Sequence, residues 1–236
     1  MTKLIDELSV FLPAYNEEKN IEKTVNGVLA VLPGVAGKWE VIIVDDGSSD
    51  RTGGISDTMA AKNKHVRVVH HHPNRGYGGA LKSGYETSRF QWVAFMDSDG
   101  QFDFSEIKLF IEAQKLTGAD LVLGIRIGRA DAFIRKFYTF VWSKLLPRIL
   151  LGLKVTDYSC GYKLINKKVY TGVQPLIGEE KVTQIEMLTK AQRMGFKFAQ
   201  VRVHHYPRRF GHNTGADLKV IIRSIRDLLK LWYQLR

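Results

Sequence analysis

Short apolar runs rich in β-branched residues alternate along the first half of the chain with longer stretches of helical periodicity. LSVFL (8–12), WEVIIV (39–44), HVRVVH (65–70), WVAFM (92–96) and ADLVLG (119–124) read as strands, and 17–32, 52–63, 78–89 and 105–117 as helices. This alternation predicts an α/β domain built on a mainly parallel central sheet flanked by helices. After residue 125 the pattern loosens. A basic, aromatic stretch (126–154) leads to SCGYKLIN (159–166), a helical pattern near 182–194, a strand-like KFAQVRVHH (197–205) and a final helix from about residue 214. The expected organisation is one domain over 1–213 followed by an amphipathic helix over 214–236.

Three polar clusters directly follow predicted strands: PAYNEE (13–18), DDGSSDRT (45–52) and DSDGQ (97–101). In an open parallel sheet the carboxyl ends of the strands share one edge, where ligands bind, so these clusters should converge on one cleft. An Asp-x-Asp pair at a strand end, Asp97 and Asp99, suits a hard divalent cation that takes one or two carboxylates and completes its shell with water and phosphate. A lone acidic turn carries little weight, and the three-cluster setting is what raises it. In the second cluster, Asp-Gly makes a turn and Ser49 or Asp50 caps the next helix. Asp45 and Asp46 are left as adjacent like charges with no partner legible nearby, as if they bonded a ligand.

Composition narrows the partners. The chain has 236 residues, 44% of them hydrophobic, enough for a well-buried core. The single cysteine, Cys160, makes no internal disulfide, and no Cys/His spacing suggests zinc, which fits a reducing, cytoplasmic setting. The N-terminus lacks the pattern of a signal peptide, and no run reaches the roughly 18 apolar residues of a membrane span. A formal charge of +11 favours an anionic partner.

As an ordered set, PAYNEEKNI, VDDGSSDRT, NRGYGGALKSGYETS and MDSDGQFDFSEI resemble the family 2 glycosyltransferases, inverting enzymes of the GT-A fold. Within that family, DYSCGYKLINKKVY (157–170) and RRFGHNTGADL (208–218) look like the polyprenyl-phosphate branch, which includes dolichyl-phosphate mannose and glucose synthases. The resemblance implies a UDP- or GDP-linked sugar donor and a Mg2+ or Mn2+ cofactor bridging its diphosphate. Pro13, Tyr15 and Glu17 would line the nucleotide pocket, with Asp45 beside it and Asp46 against the base or ribose. Asp97 and Asp99 would form the metal site, Asp99 as the direct ligand and Gln101 assisting. Arg126 and Arg135 are the implied acceptor-phosphate contacts, Arg208 and Arg209 would close on the diphosphate, and Lys82 would reach the nucleotide. The acceptor implied is a polyprenyl phosphate, already anionic and in no need of a general base. A hydroxyl acceptor would need one, and the corresponding EEKVTQIEML segment offers Glu179 and Glu180 but no Glu-Asp pair.

From Arg126 to Lys154 there are seven basic residues and one acidic, and arginine forks suit phosphate. The last helix spaces Leu218, Ile221, Ile222, Ile225, Leu228, Leu229 and Trp232 on one side, with Lys219, Arg223, Arg226 and Lys230 flanking them. That pattern fits either packing on the domain or lying on an anionic leaflet. Peripheral attachment to the cytoplasmic face of a membrane, directly or through a partner protein, is the expectation. RGYGGALKSG fails as a dinucleotide fingerprint because residue 81 is leucine. The runs His70–His72 and His204–His205 are expected to be structural or on the surface, since neighbours along a strand face opposite ways. A soluble hydroxyl acceptor is the nearest alternative, and a non-catalytic nucleic-acid or membrane binder a distant one. Carboxylates in the cleft would repel a nucleic-acid backbone.

Overall fold

The computed structural model describes residues 3–127, 146–178, 182–208, 210 and 218–235, with side chains left aside at 146–147 and 218–225. The described elements run β1 (Ile5–Ala14), α1 (Ile21–Val35), β2 (Ala36–Asp45), α2 (Thr52–Lys62), β3 (Val66–His70), α3 (Gly76–Thr87), β4 (Trp92–Met96), a 3-10 turn (Phe104–Glu106), α4 (Ile107–Thr117) and β5 (Leu121–Ile127). They continue as α5 (Leu146–Leu151), β6 (Tyr162–Asn166), α6 (Lys167–Gly172), α7 (Val182–Arg193), β7 (Phe198–His204) and α8 (Leu218–Gln234).

The strands form one seven-stranded sheet in the order β3-β2-β1-β4-β6-β5-β7. All pairings are parallel except those of β6, which runs antiparallel to both β4 and β5. The expectation of a mainly parallel sheet holds. The period-2 alternation of strand side chains splits the core into two layers. Val10, Leu12, Val41, Ile43, Ala94 and Met96 meet α1, α2 and α4 on one face. Phe11, Ile42, Val44, Val93 and Phe95 meet α3, α6, α7 and α8 on the other. Full burial of one such side chain contributes about 1.5–3 kcal/mol.

Helix α3 approaches the sheet most closely at Gly84, where an added Cβ would lie 2.3 Å from the Phe11 ring. Only glycine permits that approach. At the far end, Leu228 and Leu231 of α8 are buried in the same layer, packed toward α7 and α5.

Candidate active site

The chain leaves β1 for β2 and β3 on one side and for β4 on the other, so the strand order reverses between β1 and β4. In open α/β sheets ligands bind in the crevice beyond the carboxyl ends of the strands at such a point. The three polar clusters meet there, and the first two are knitted together. Asn16 N donates to Ser48 Oγ (3.0 Å), Ser49 N to Asn16 Oδ1 (2.8 Å) and Glu17 N to Thr52 Oγ1 (2.8 Å). Asp50 accepts from Thr52 N (2.9 Å), although the residue at the N-cap of α2 is Arg51 and not Ser49 or Asp50. These bonds give the serines and Asp50 a structural job, that of shaping the PAYNEE turn.

Asp97 is held by its backbone N–H, which donates to Gly161 O at 2.9 Å, and by Tyr77 Oη, which donates to Oδ1 at 3.1 Å. Burial, with the charge of Asp99 next, pushes its carboxyl up to about 7. Asp99 accepts from Gln101 N (3.1 Å), and its Oδ2 lies 3.7 Å from Arg208 Nη1. The same guanidinium donates to Glu17 through Nη2. Glu17 is buried and also accepts from Asn20 Nδ2 at 2.7 Å. Burial raises the pKa of both Asp99 and Glu17. One arginine thus bridges two of three crowded carboxylates.

This donor set fits a hard divalent cation. Like charges crowded in a partly desolvated crevice resist ionisation until a cation offsets them. Mg2+ and Mn2+ are commonly held by one or two carboxylates with the remaining oxygens from water and phosphate. Among the described residues no group of three or more His, Cys, Asp or Glu side chains forms an all-protein cage. The side chain of Gln101 is turned elsewhere. Its Nε2 donates to Tyr206 O at 2.8 Å, and Tyr206 N donates back to Gln101 O at 2.9 Å, which docks the Arg208 segment on the Asp-x-Asp turn.

The second cluster corrects one reading. Asp45 and Asp46 do have internal partners, His70 at the end of β3 and His71 just after it. Asp45 accepts from Ser48 N (3.1 Å) and lies 2.9 Å from His70 Nδ1, so both its oxygens are engaged within the fold. Asp46 Oδ1 accepts from Arg75 N at 2.9 Å and lies 2.6 Å from the buried His71 Nδ1, whose Nε2 reaches Ser83 Oγ at 2.9 Å. Asp46 Oδ2 bonds nothing among the described residues. The histidines are structural, as expected, though not idle. Pro13 is buried with its carbonyl accepting from Ser98 Oγ (2.6 Å), and Tyr15 is 47% exposed at the rim. Lys82 is half-buried on α3 and makes no ion pair with the described carboxylates.

On the acceptor side, Arg126 closes a bidentate pair with Asp157, Nε to Oδ2 at 2.8 Å and Nη2 to Oδ1 at 2.7 Å, and also donates to Ser159 Oγ. Its fork is already occupied, so the structure assigns it to an internal ion pair beside the crevice. Arg135, Arg209, Glu179 and Glu180 lie outside the described residues. Sequence reasoning missed Tyr77, Gly161, Lys163 and Gln184, which surround Asp97. The visible signal was the lysine inside SCGYKLIN, a charge in the middle of an otherwise apolar strand.

Comparison with known proteins shows the family. The sequence model described as glycosyl transferase family 2 matches residues 9–173. Glycosyltransferase AglD of Haloferax volcanii is 30% identical over 236 residues, covering 97% of this chain but only 37% of the relative. Dodecaprenyl-phosphate galacturonate synthase of Rhizobium johnstonii is 29% identical over 235 residues, covering 98% of this chain and 68% of the relative. Among solved structures, glucosyl-3-phosphoglycerate synthase from Mycobacterium tuberculosis, in complex with Mn2+ and UDP-glucose, aligns with a TM-score of 0.72 at 20% identity, over 97% of this chain and 79% of that one. That likeness is one of fold, and it is the GT-A fold the sequence resemblance implied. The family match runs through all three loops of the crevice and on through β6, and the chain belongs to glycosyltransferase family 2.

Proposed function

We propose that the protein transfers a single hexose, with inversion, from a UDP- or GDP-linked sugar to a polyprenyl phosphate. The observation that carries this reading is the crowding of three carboxylates at the switch point of the sheet, Glu17 and Asp99 on the Arg208 guanidinium and Asp97 against the charge of Asp99. Mg2+ or Mn2+ held by Asp97 and Asp99 would supply a Lewis acid for the diphosphate oxygens as negative charge grows on the leaving group. Arg208 stands where it can pass from Asp99 to that diphosphate, with Arg209 beside it in sequence. Asp46, with Oδ2 uncommitted, faces the base or ribose, and Pro13 and Tyr15 line the pocket.

The acceptor reading rests on two supports. The Rhizobium relative bears the name of a dodecaprenyl-phosphate sugar synthase. Within this chain, α7 presents Gln184 toward the Asp97 site, while its one carboxylate, Glu186, turns away to accept from Ile177 N (3.0 Å) and Gly178 N (2.6 Å). A phosphate acceptor is ionised near pH 7 and needs no base, whereas a sugar hydroxyl would need one. Attack by a phosphate oxygen on the face of the anomeric carbon opposite the departing diphosphate gives inversion.

Work on a lipid substrate calls for a place at a membrane, here its cytoplasmic face. No described helix is long and apolar enough to cross one. On α8, Leu228 and Leu231 are buried while Arg226, Leu229, Lys230 and Tyr233 are exposed, a surface suited to peripheral contact or to a partner protein. Incubation with labelled nucleotide sugars, Mn2+ and a short polyprenyl phosphate tests the reading. Organic-extractable label with inverted anomeric configuration supports it, and label found only on a soluble sugar would replace the acceptor.

A further inference from the structure

We propose that Lys163 is a positioning residue for the cation and diphosphate end of the crevice. Its buried ammonium sets the direction of a hydrogen-bond relay that runs through Gln184 and Tyr77 and ends on Asp97. The inference rests on the reading of Asp97 and Asp99 given above.

Lys163 stands on β6 opposite Phe95 of β4 and is 0% exposed. Lysine is almost never fully buried unless paired, yet among the described residues no carboxylate lies within ion-pair distance of Nζ. The ammonium donates instead to Cys160 O and Gln184 Oε1, and lies 4.9 Å from the centroid of the Phe95 ring. Neutral acceptors and an aromatic face offset only part of the cost of desolvating a charge. A charge kept there at such cost points to a use.

Donor and acceptor inventories supply it. An ammonium has three N–H donors and no lone pair, so the Gln184 atom that faces it must be Oε1. The amide nitrogen then points the other way, and Nε2 donates to Tyr77 Oη at 2.9 Å. With that lone pair engaged, the hydroxyl hydrogen goes to Asp97 Oδ1, 3.1 Å away. Every link runs from donor to acceptor, and Asp97 is the terminal acceptor. Its carboxylate is thereby fixed between Tyr77 on one side and the Gly161 backbone on the other. Without the ammonium only the Tyr77 end of the relay orients the Gln184 amide. Flipped, Oε1 would draw the Tyr77 hydrogen away from Asp97.

Calorimetric titration of the full chain with Mn2+ plus UDP, and separately Mn2+ plus GDP, gives the reference affinity. Lys163→Met and Tyr77→Phe should each weaken binding by about tenfold or more, and the double variant no further than either alone, because both cut one relay. Gln184→Glu keeps the lysine paired but leaves only acceptors, so Tyr77 turns its hydrogen from Asp97 to the new carboxylate. That variant should melt no earlier than wild type and still bind about tenfold more weakly. Wild-type affinity in Gln184→Glu would overturn the relay, as would effects of Lys163→Met and Tyr77→Phe that multiply in the double variant. A wild-type chain that binds neither nucleotide with Mn2+ would overturn the reading of the crevice, and the role of Lys163 with it.

Discussion

Gly161 lies so close to Asp97 that a Cβ built on it would stand 1.8 Å from Oδ2 and 2.2 Å from Cγ. Its carbonyl also accepts the Asp97 N–H. One residue therefore anchors the backbone of the carboxylate and leaves no room for a side chain. Gly161→Ala must displace Asp97 or part β4 from β6, at a cost of about 1–3 kcal/mol. Thermal denaturation should show the loss of stability, and calorimetry should show Mn2+–UDP binding abolished. Wild-type values in both would mean that the carboxylate is not confined there.

Burial and the neighbouring Asp99 raise the Asp97 carboxyl from 3.8 to about 7. A group whose folded pKa lies above its unfolded value stabilises the fold fully below the unfolded pKa and loses that contribution as pH rises through the folded one. The ligand-free protein should therefore lose stability between about pH 4 and about pH 7 through this group. A cation binds the ionised form, so Mn2+–UDP affinity should rise over the same window, with proton release on binding. Melting curves and titrations in buffers of different ionisation enthalpy check both signs, and Asp97→Asn should flatten both trends.

Arg208 touches Glu17 and lies 3.7 Å from Asp99 Oδ2. If, as proposed, Arg208 serves the donor diphosphate and Asp99 the cation, the arginine competes with the cation for Asp99 in the ligand-free crevice. Arg208→Ala should then strengthen binding of Mn2+ alone and weaken binding of UDP in the presence of Mn2+, the latter by about tenfold for one lost charge-assisted contact. Movement of both affinities in one direction would assign Arg208 to only one of these roles.

His71 is buried against Asp46, with Nδ1 2.6 Å from Oδ1. His71→Ala leaves that oxygen with the Arg75 N–H alone, and an under-satisfied buried carboxylate costs about 1–3 kcal/mol. Urea denaturation should register that loss. Nucleotide affinity should fall with it, because Asp46 also organises the Asn74–Arg75 turn.

The layers of the fold were legible because alternation along β1, β2 and β4 sorts Val10 from Phe11 and Ile42 from Ile43, and local pattern is enough to read that. The carboxylate pair was legible for the same reason, since Asp97 and Asp99 end a strand. What escaped depends on distant pairing. Asp45 and Asp46 find His70 and His71 25 positions away, and Tyr77 meets Gln184 across 107. Strand β6 escaped because an antiparallel strand inserted between β4 and β5 breaks the alternation that revealed the others. Arg126 read as a free cation because its partner, Asp157, lies beyond the basic stretch and reaches it only once β5 is in the sheet.

The most direct test of the account follows label from a UDP- or GDP-linked hexose into organic-extractable polyprenyl phosphate with Mn2+, using wild type beside Asp99→Asn. Wild type should show metal-dependent transfer, and the variant, which lacks one of the two carboxylates proposed to hold the cation, a loss of at least about a hundredfold. Equal transfer by both proteins would contradict the assignment of the crevice. Transfer to a soluble hydroxyl alone would leave the crevice standing and overturn the acceptor.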